Sequence, residues 1–190
     1  MNAFLVAAGT ITLAEFGDKT QLLALLLAAR FRRPVPIIAG IVVATLANHL
    51  LAGLLGIELA HWLTPMLLRW VLGLGFLATA VWALVPDKAD DNQRTGGLSA
   101  FATTVLSFFV AEIGDKTQIA TVMLAAHYAA FWQVVAGTTL GMLLADVPAV
   151  LLGERITRLA SPALVRRSAA ALFALLGIAT LLGAGAVLGV

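Results

Sequence analysis

The chain has 190 residues, of which 61% are hydrophobic and only 12% are charged. Soluble domains usually carry about 25% charged residues, so the composition excludes an ordinary soluble domain and indicates an all-α integral membrane protein. The absence of cysteine excludes disulfides, thiolate metal sites and cysteine nucleophiles, and a formal net charge of +2 gives no indication of nucleic-acid binding.

Apolar runs separated by polar residues, proline or glycine predict six transmembrane helices. In chain order, the predicted spans are Ala3–Ala29, Pro34–Ile57, Pro65–Val85, Ser99–Ala126, Phe131–Leu152 and Ser168–Val190. The connections between them are short, except for a strongly polar stretch at Pro86–Gly97. This stretch is the natural midpoint of the chain.

The first and fourth predicted spans contain nearly the same octapeptide. AEFGDKTQ at Ala14–Gln21 and AEIGDKTQ at Ala111–Gln118 are identical at seven of eight positions, at an offset of 97 residues. The same offset aligns Phe76 with Phe173. Because chance matching of apolar segments does not reproduce three charged residues, we expect an internal duplication. Residues 1–85 are then the first three-helix repeat, 86–98 a polar cytoplasmic linker and 99–190 the second repeat.

Lysine and arginine are distributed unevenly between the two sides of the predicted helices. Nine lie in the first, third and fifth connections: Arg30, Arg32, Arg33, Lys88, Arg94, Arg155, Arg158, Arg166 and Arg167. The connections on the other side hold only Arg69. Because cytoplasmic loops carry an excess of these residues, both termini are predicted to be extracytoplasmic. Since each repeat has three spans, the repeats are predicted to have inverted topology, as in many transporters with a mid-membrane site.

Each octapeptide places charged residues in an otherwise apolar span. On a continuous helix, Glu15, Asp18 and Gln21 share one flank, and Lys19 lies one turn beyond Glu15. An Asp or Lys at the centre of a span costs about 2.5–3.5 kcal/mol, and carboxylates brought together repel one another until a cation or protons neutralise them. This predicts cation/proton exchange. The predicted metal ligands are Glu15, Asp18, Gln21, Glu112, Asp115 and Gln118.

The predicted ligand set indicates the class of metal. Carboxylate and amide oxygens suit Mg²⁺, Ca²⁺ and Mn²⁺, whereas soft metals favour sulfur ligands. His49 is the only histidine predicted to lie inside the membrane, so a nitrogen-rich zinc site is not expected. An octahedral all-oxygen site for Mn²⁺ or Ca²⁺ fits best. The metal is expected to be the transported substrate, and no cofactor is predicted.

The motif E-φ-G-D-K-T, present twice in a predicted six-span chain, resembles the transmembrane protein 165 family, also called the Gdt family. The resemblance covers essentially the whole chain. It implies exchange of Mn²⁺ or Ca²⁺ for protons, with Glu15, Asp18, Glu112 and Asp115 binding the cation and carrying the coupled protons. Family members are Golgi-resident in eukaryotes and manganese exporters in bacteria. The chain lacks the long extensions of organellar members, so the resemblance implies a manganese exporter of a prokaryotic cytoplasmic membrane.

Residues within and beside the two acidic motifs are candidates for accessory roles. Lys19 and Lys116 are expected to pair with nearby acids, as internal counter-charges or as competitors for the emptied site. Thr20 is expected to point elsewhere, toward a backbone carbonyl, and Thr117 is its counterpart. The glycines at the centre of the motif allow either the close approach of a neighbouring helix or a local break; they are Gly17 and Gly114.

The second and fifth spans hold three further candidates. Asn48 and His49 align with Ala145 and Asp146 at the offset of 97, so the repeats differ here. Asp146 is interpreted as an acid of the access path, as a proton relay or as the partner of His49 in an ion pair. The alternative is an interfacial residue that caps a kink at Pro148. Close helix crossing is predicted at two pairs of glycines, Gly137 with Gly141 and Gly185 with Gly189.

Other functions remain as alternatives. An enzyme is not expected, because Glu15 and Glu112 stand where the intramembrane aspartyl protease motif G-x-G-D has its first glycine. A cation channel, or an exporter of a small organic cation or amino acid, is the first alternative. A scaffold or assembly factor, in which the charged residues form purely structural ion pairs, is a further alternative. The expected partners are a divalent metal ion, protons and the lipid bilayer, and the oligomeric state is not predicted.

Overall fold

The computed structural model describes residues 2–85, 98–153 and 162–183, and these form helices without any strand. The helices are α1 Ala3–Glu15, α2 Lys19–Phe31, α3 Pro34–Trp62, α4 Pro65–Ala83, α5 Ala100–Glu112, α6 Lys116–Tyr128, α7 Phe131–Leu152 and α8 Pro162–Leu181. By length and composition, α3, α4, α7 and α8 are able to cross a membrane, and α1 and α5 are shorter apolar helices. The all-helical, apolar architecture is that of an integral membrane protein.

The first and fourth predicted spans are each divided into two helices of 13 residues. A continuous helix through the octapeptide is therefore wrong, and the alternative of a local break is confirmed. The cause is the backbone of Gly17 at φ 80° and of Gly114 at φ 72°, a conformation that glycine adopts readily. Helices α2 and α6 then begin afresh after Asp18 and Asp115, which cap them.

Other helix boundaries differ in detail from the predicted ones. Helix α3 continues to Trp62, because no proline or glycine interrupts it after Gly56. Helix α8 begins at Pro162, which suits the first turn of a helix, so that Arg166 and Arg167 lie within the helix. Met1 and the segments 86–97, 154–161 and 184–190 lie outside the described residues. They include most of the predicted linker 86–98 as well as Arg155, Arg158, Gly185 and Gly189. The six-span topology stays a prediction.

Two central helices hold the broken pairs in place. Helix α7 packs along α1 and α2, α3 packs along α5 and α6, and α3 and α7 pack on each other, while α4 pairs with α8. At Gly137 a side-chain Cβ would lie 2.5 Å from the carbonyl oxygen of Phe4, and at Gly141 it would lie 2.6 Å from that of Ala8. The predicted close crossing at this glycine pair is confirmed, since neither position has room for a side chain.

Two apolar clusters lie on either side of the helix breaks. The larger contains Ala14 just before the first break and Ala120 after the second. The smaller contains Leu23 after the first break and Phe108 before the second. Both acidic motifs therefore lie where the two clusters meet, with packed hydrocarbon on each side.

Candidate cation site

Three buried carboxyl groups from the two octapeptides meet at the breaks. Glu15, Glu112 and Asp115 each offer an oxygen, and these oxygens all lie within 4.8 Å of one another. The residues are 0%, 0% and 2% exposed. Within the described parts of the chain, Oε1 of Glu15 and Oε1 of Glu112 have no hydrogen-bond partner. Because unpaired buried acceptors are costly, this three-acid group is suited to a bound cation or to protons.

Each glutamate uses its second oxygen in the same way. Thr20 Oγ1 donates a hydrogen bond to Glu15 Oε2, and Thr117 Oγ1 donates to Glu112 Oε2 at 3.1 Å. The expectation that Thr20 points toward a backbone carbonyl is wrong, because the break brings the first turn of α2 back against the end of α1. The threonine hydroxyls therefore orient the two glutamate side chains. Oε1 of each glutamate is left to face the three-acid group.

The two lysines form ion pairs that connect one octapeptide with the other. Lys19 Nζ lies 2.7 Å from Asp115 Oδ1, and Lys116 Nζ lies 3.0 Å from Asp18 Oδ1. Asp18, 2% exposed, also accepts the backbone N–H of Lys19 at 2.7 Å. The expected pairing of the lysines with acids is therefore present, and it runs between the motifs. Asp18 lies outside the three-acid group, so its role as a metal ligand stays a prediction.

The two glutamines support the breaks. Gln21 Oε1 accepts the N–H of Gly17 at 2.9 Å, and its Nε2 donates to the carbonyl of Ala145 on α7 at 3.0 Å. Gln118 Oε1 accepts the N–H of Gly114 at 2.8 Å. These bonds satisfy the glycine N–H groups, which lack a partner within the interrupted helices. Both amide oxygens are thus directed at backbone N–H groups, and their predicted role as metal ligands is not tested by this arrangement.

Asp146 lies close to the acids of the first motif. It is 0% exposed, and neither of its oxygens has a hydrogen-bond partner among the residues that the structure describes. It interacts electrostatically with Glu15 and Asp18. The alternative of a residue that caps a kink is wrong, because neither carboxylate oxygen accepts a backbone N–H of the described residues. The arrangement favours a role at the acidic site.

The remaining predicted residues lie between α3 and its neighbours. His49 Nδ1 is 3.3 Å from Thr139 Oγ1 on α7, and its Nε2 has no partner in the described residues. The predicted ion pair of His49 with Asp146 is therefore not formed. Asn48 Nδ2 donates to the carbonyl of Phe109 on α5 at 3.2 Å, close to the second break.

A crevice at the second break is not indicated by any sequence pattern. Its volume is about 480 Å³, and its lining is almost entirely apolar apart from Asn48, Glu58 and Gln118. It runs along α3 past Leu51 and reaches Ile113 beside the break. No motif marks it, because its lining comes from separate helices and five of its eight residues are ordinary apolar side chains.

These features define a class of protein. Interrupted helices, buried acids and lysines paired with them inside an apolar bundle are typical of membrane transporters for cations. The chain belongs to a family described as the divalent cation/proton antiporter GDT1, whose family model matches residues 3–91 and 100–187. The resemblance drawn from the repeated motif is confirmed. Proteins of this family are transporters, and divalent cation transport is the activity that membership supports.

Two relatives illustrate the family. A protein of Vibrio cholerae serotype O1 named "Putative manganese exporter" is 51% identical over 181 residues, which cover 95% of this chain and 90% of that protein. A GDT1-like protein of Synechocystis sp. is 33% identical over 176 residues, covering 81% of this chain and 84% of the relative. No solved structure matches the chain.

Proposed function

We propose that this protein exports Mn²⁺ in exchange for protons across the inner membrane of a bacterium. One observation carries the proposal: the oxygens of Glu15, Glu112 and Asp115 meet within 4.8 Å inside an apolar bundle. Three carboxylates at this spacing repel one another strongly in a medium of low dielectric constant. Either a divalent cation or protons relieve that repulsion, and both need the same oxygens. Metal and protons therefore occupy the site in alternation.

The ligand chemistry supports Mn²⁺, with Ca²⁺ as the second candidate substrate. Carboxylate oxygens are hard ligands, and both ions accept all-oxygen coordination. The name of the Vibrio cholerae relative favours manganese. We assign Glu15, Glu112 and Asp115 as the first ligands. Gln21 and Gln118 complete the coordination once their present hydrogen bonds rearrange, and Asp18 contributes an oxygen while its Oδ1 keeps the ion pair with Lys116.

The proposed exchange uses two inverted three-span repeats, residues 1–85 and 99–190, with both termini outside the cytoplasm. Two separate matches of the family model, one in each half, support the duplication. A packing detail supports it as well. A Cβ at Gly40 would lie 3.0 Å from the carbonyl oxygen of Phe101, and one at Gly137 would lie 2.5 Å from that of Phe4. The offset of 97 relates Gly40 to Gly137 and Phe4 to Phe101. The second contact therefore repeats the first with the two halves of the chain exchanged.

Burial of the acids favours exchange over a continuous pore. The three-acid group is at most 2% exposed and lies between two packed apolar clusters. A channel requires an open hydrated path past its selectivity site, whereas an exchanger opens its site to one side at a time. A channel, or an exporter of a small organic cation or amino acid, is therefore the weaker alternative.

The experiment that tests this function is Mn²⁺ flux in proteoliposomes with an imposed pH gradient. We expect flux whose direction follows the gradient, and its loss in the variants Glu15→Gln and Glu112→Gln, because each removes one carboxylate charge from the group. Glu58→Gln is the matched control, since Glu58 is an exposed acid that bonds to Trp62 at the end of α3. Mn²⁺ movement that ignores the pH gradient would instead indicate a channel.

A further inference from the structure

We propose that the ammonium group of Lys19 is a tethered competitor for the cation site, displaced when a divalent cation binds, whereas Lys116 is a fixed connection between the two halves. The inference rests on the proposed function and describes the regulation of the same site. Lys19 and Lys116 occupy the same position in the two octapeptides. Any difference between them therefore comes from their surroundings in the folded protein.

The first difference is the partner of each lysine. Lys19 Nζ contacts Oδ1 of Asp115 at 2.7 Å, and Asp115 belongs to the three-acid group. The other oxygen of Asp115 lies 3.3 Å from Thr117 Oγ1. A divalent cation that binds Asp115 must therefore compete for an oxygen already used by Lys19 or by Thr117. Lys116 contacts Asp18, which lies outside the group.

The second difference is exposure. The side chain of Lys19 is 27% exposed, whereas that of Lys116 is 3% exposed. A lysine ammonium sits on a flexible four-carbon stem and is strongly hydrated. Lys19 thus has a route from Asp115 to the surface of the protein. Lys116 is enclosed, and moving its charge out of contact with Asp18 would leave two buried charges uncompensated.

The charges of the competing groups determine which of them occupies Asp115. With its acids ionised, the three-acid group carries three negative charges, and the Lys19 ammonium offsets one of them. A divalent cation offsets two and replaces the ammonium at Asp115. When the cation leaves, the ammonium returns and limits the repulsion among the emptied carboxylates. Lys19 therefore lowers the affinity for metal and assists its release.

The composition of the chain makes displacement of Lys19 directly measurable. The sequence contains three lysines, Lys19, Lys88 and Lys116. We expect Mn²⁺ to increase acylation of Lys19 by an amine-reactive reagent several-fold, measured by mass spectrometry on the full chain in detergent. Labelling of Lys88 serves as the reference, and Lys116 should stay unlabelled. Labelling of Lys19 that Mn²⁺ leaves unchanged or lowers would overturn the inference.

The matched variants Lys19→Gln and Lys116→Gln test the consequence for affinity. Calorimetric titration with Mn²⁺ should show about tenfold tighter binding by Lys19→Gln, since a competing charge has been removed. Its Mn²⁺ flux should be slower, because metal release loses its competitor. Lys116→Gln should lose thermal stability and gain no affinity. If it does not fold, Lys116→Arg replaces it and should bind Mn²⁺ like the wild type.

Chemical rescue completes the test, because the chain has no native cysteine. Lys19→Cys should bind Mn²⁺ as tightly as Lys19→Gln, and aminoethylation of the thiol should restore the wild-type affinity. Equal effects of the Lys19 and Lys116 variants, or weaker binding by Lys19→Gln, would overturn the inference while leaving exchange intact. A wild-type protein that neither binds nor moves Mn²⁺ would overturn the proposed function as well.

Discussion

At the scale of single residues, hydrogen bonding separates Asp146 from the acids of the octapeptides. Glu15 and Glu112 each accept a threonine hydroxyl, whereas the buried oxygens of Asp146 accept no hydrogen bond from the described residues. The offset of 97 aligns Asp146 with His49, so the two halves of the chain supply different side chains at aligned positions. Asp146 adds a buried carboxyl group beside the first motif, and its oxygens have no hydrogen-bond partner in the described residues, so we expect it to take part in cation binding.

The variant Asp146→Asn tests this assignment. Removing this carboxyl group should weaken Mn²⁺ binding by about tenfold, because a bound cation loses the attraction of a carboxylate near Glu15 and Asp18. The melting temperature should not fall, since the variant removes a buried carboxyl group that has no hydrogen-bond partner in the described residues. Calorimetric titration and thermal unfolding measure the two effects. Glu58→Gln, which removes an exposed charge, is the control. Unchanged affinity in Asp146→Asn would contradict the assignment.

At the scale of helices, the decisive feature is the pair of breaks. Glu15 and Glu112 end α1 and α5, and Asp18 and Asp115 cap α2 and α6. The N-terminal ends of α2 and α6 carry partial positive charge, which stabilises carboxylates placed there. The acids are thus held by helix ends rather than along a continuous helix. On a continuous helix the charged residues would be spread along one side. The interruption of the helices brings them together in a compact group.

Alanine substitutions at three glycines distinguish the contribution of the helix break from the contribution of helix packing. Gly114→Ala should reduce Mn²⁺ flux and cost about 1–2 kcal/mol, because a Cβ there meets no atom but the backbone is left-handed. Gly137→Ala should lower the melting temperature more, since its Cβ would collide with Phe4 and separate α1 from α7. Gly9→Ala, a helical position with open space, is the control and should not destabilise. A larger loss of stability at Gly114 than at Gly137 would contradict this account.

At the scale of the whole molecule, the fold places the acidic site between two packed apolar clusters. Large exposed side chains such as Leu54, Leu74 and Val81 cover the outer surface, as expected for contact with lipid. The two motifs lie close together because α7 packs against one broken helix pair, α3 packs against the other, and α3 and α7 pack on each other. The proposed inverted topology accounts for this arrangement, because the two broken helix pairs then cross the membrane in opposite directions and their breaks meet at the same depth.

The topology is open to a direct test with fused reporters. A reporter at Val190 should be active on the extracytoplasmic side, and one inserted at Asn92 should be active in the cytoplasm, because nine basic residues mark one face. Alkaline phosphatase and green fluorescent protein fusions, active on opposite sides of the membrane, serve as each other's control. Signals on the same side at both positions would contradict the odd number of spans in the second half.

The sequence by itself determined the membrane class, the duplication of the acidic motif and the family. These follow from composition, from an offset of 97 and from charged residues in apolar runs, all of which are local properties of the chain. It also indicated which acids and lysines to expect at a site, because charge inside a membrane span is too costly to occur without a role.

Only the tertiary structure decided how those residues act. Gly17 permits a break or a close crossing equally well, and the packing of α1 and α2 against α7 selects the break. The same lysine in the same octapeptide is partly exposed on Asp115 in one copy and enclosed on Asp18 in the other. Such differences arise from contacts between helices far apart in the chain. A motif specifies which chemical groups are present, whereas packing sets their neighbours and their access to the surface.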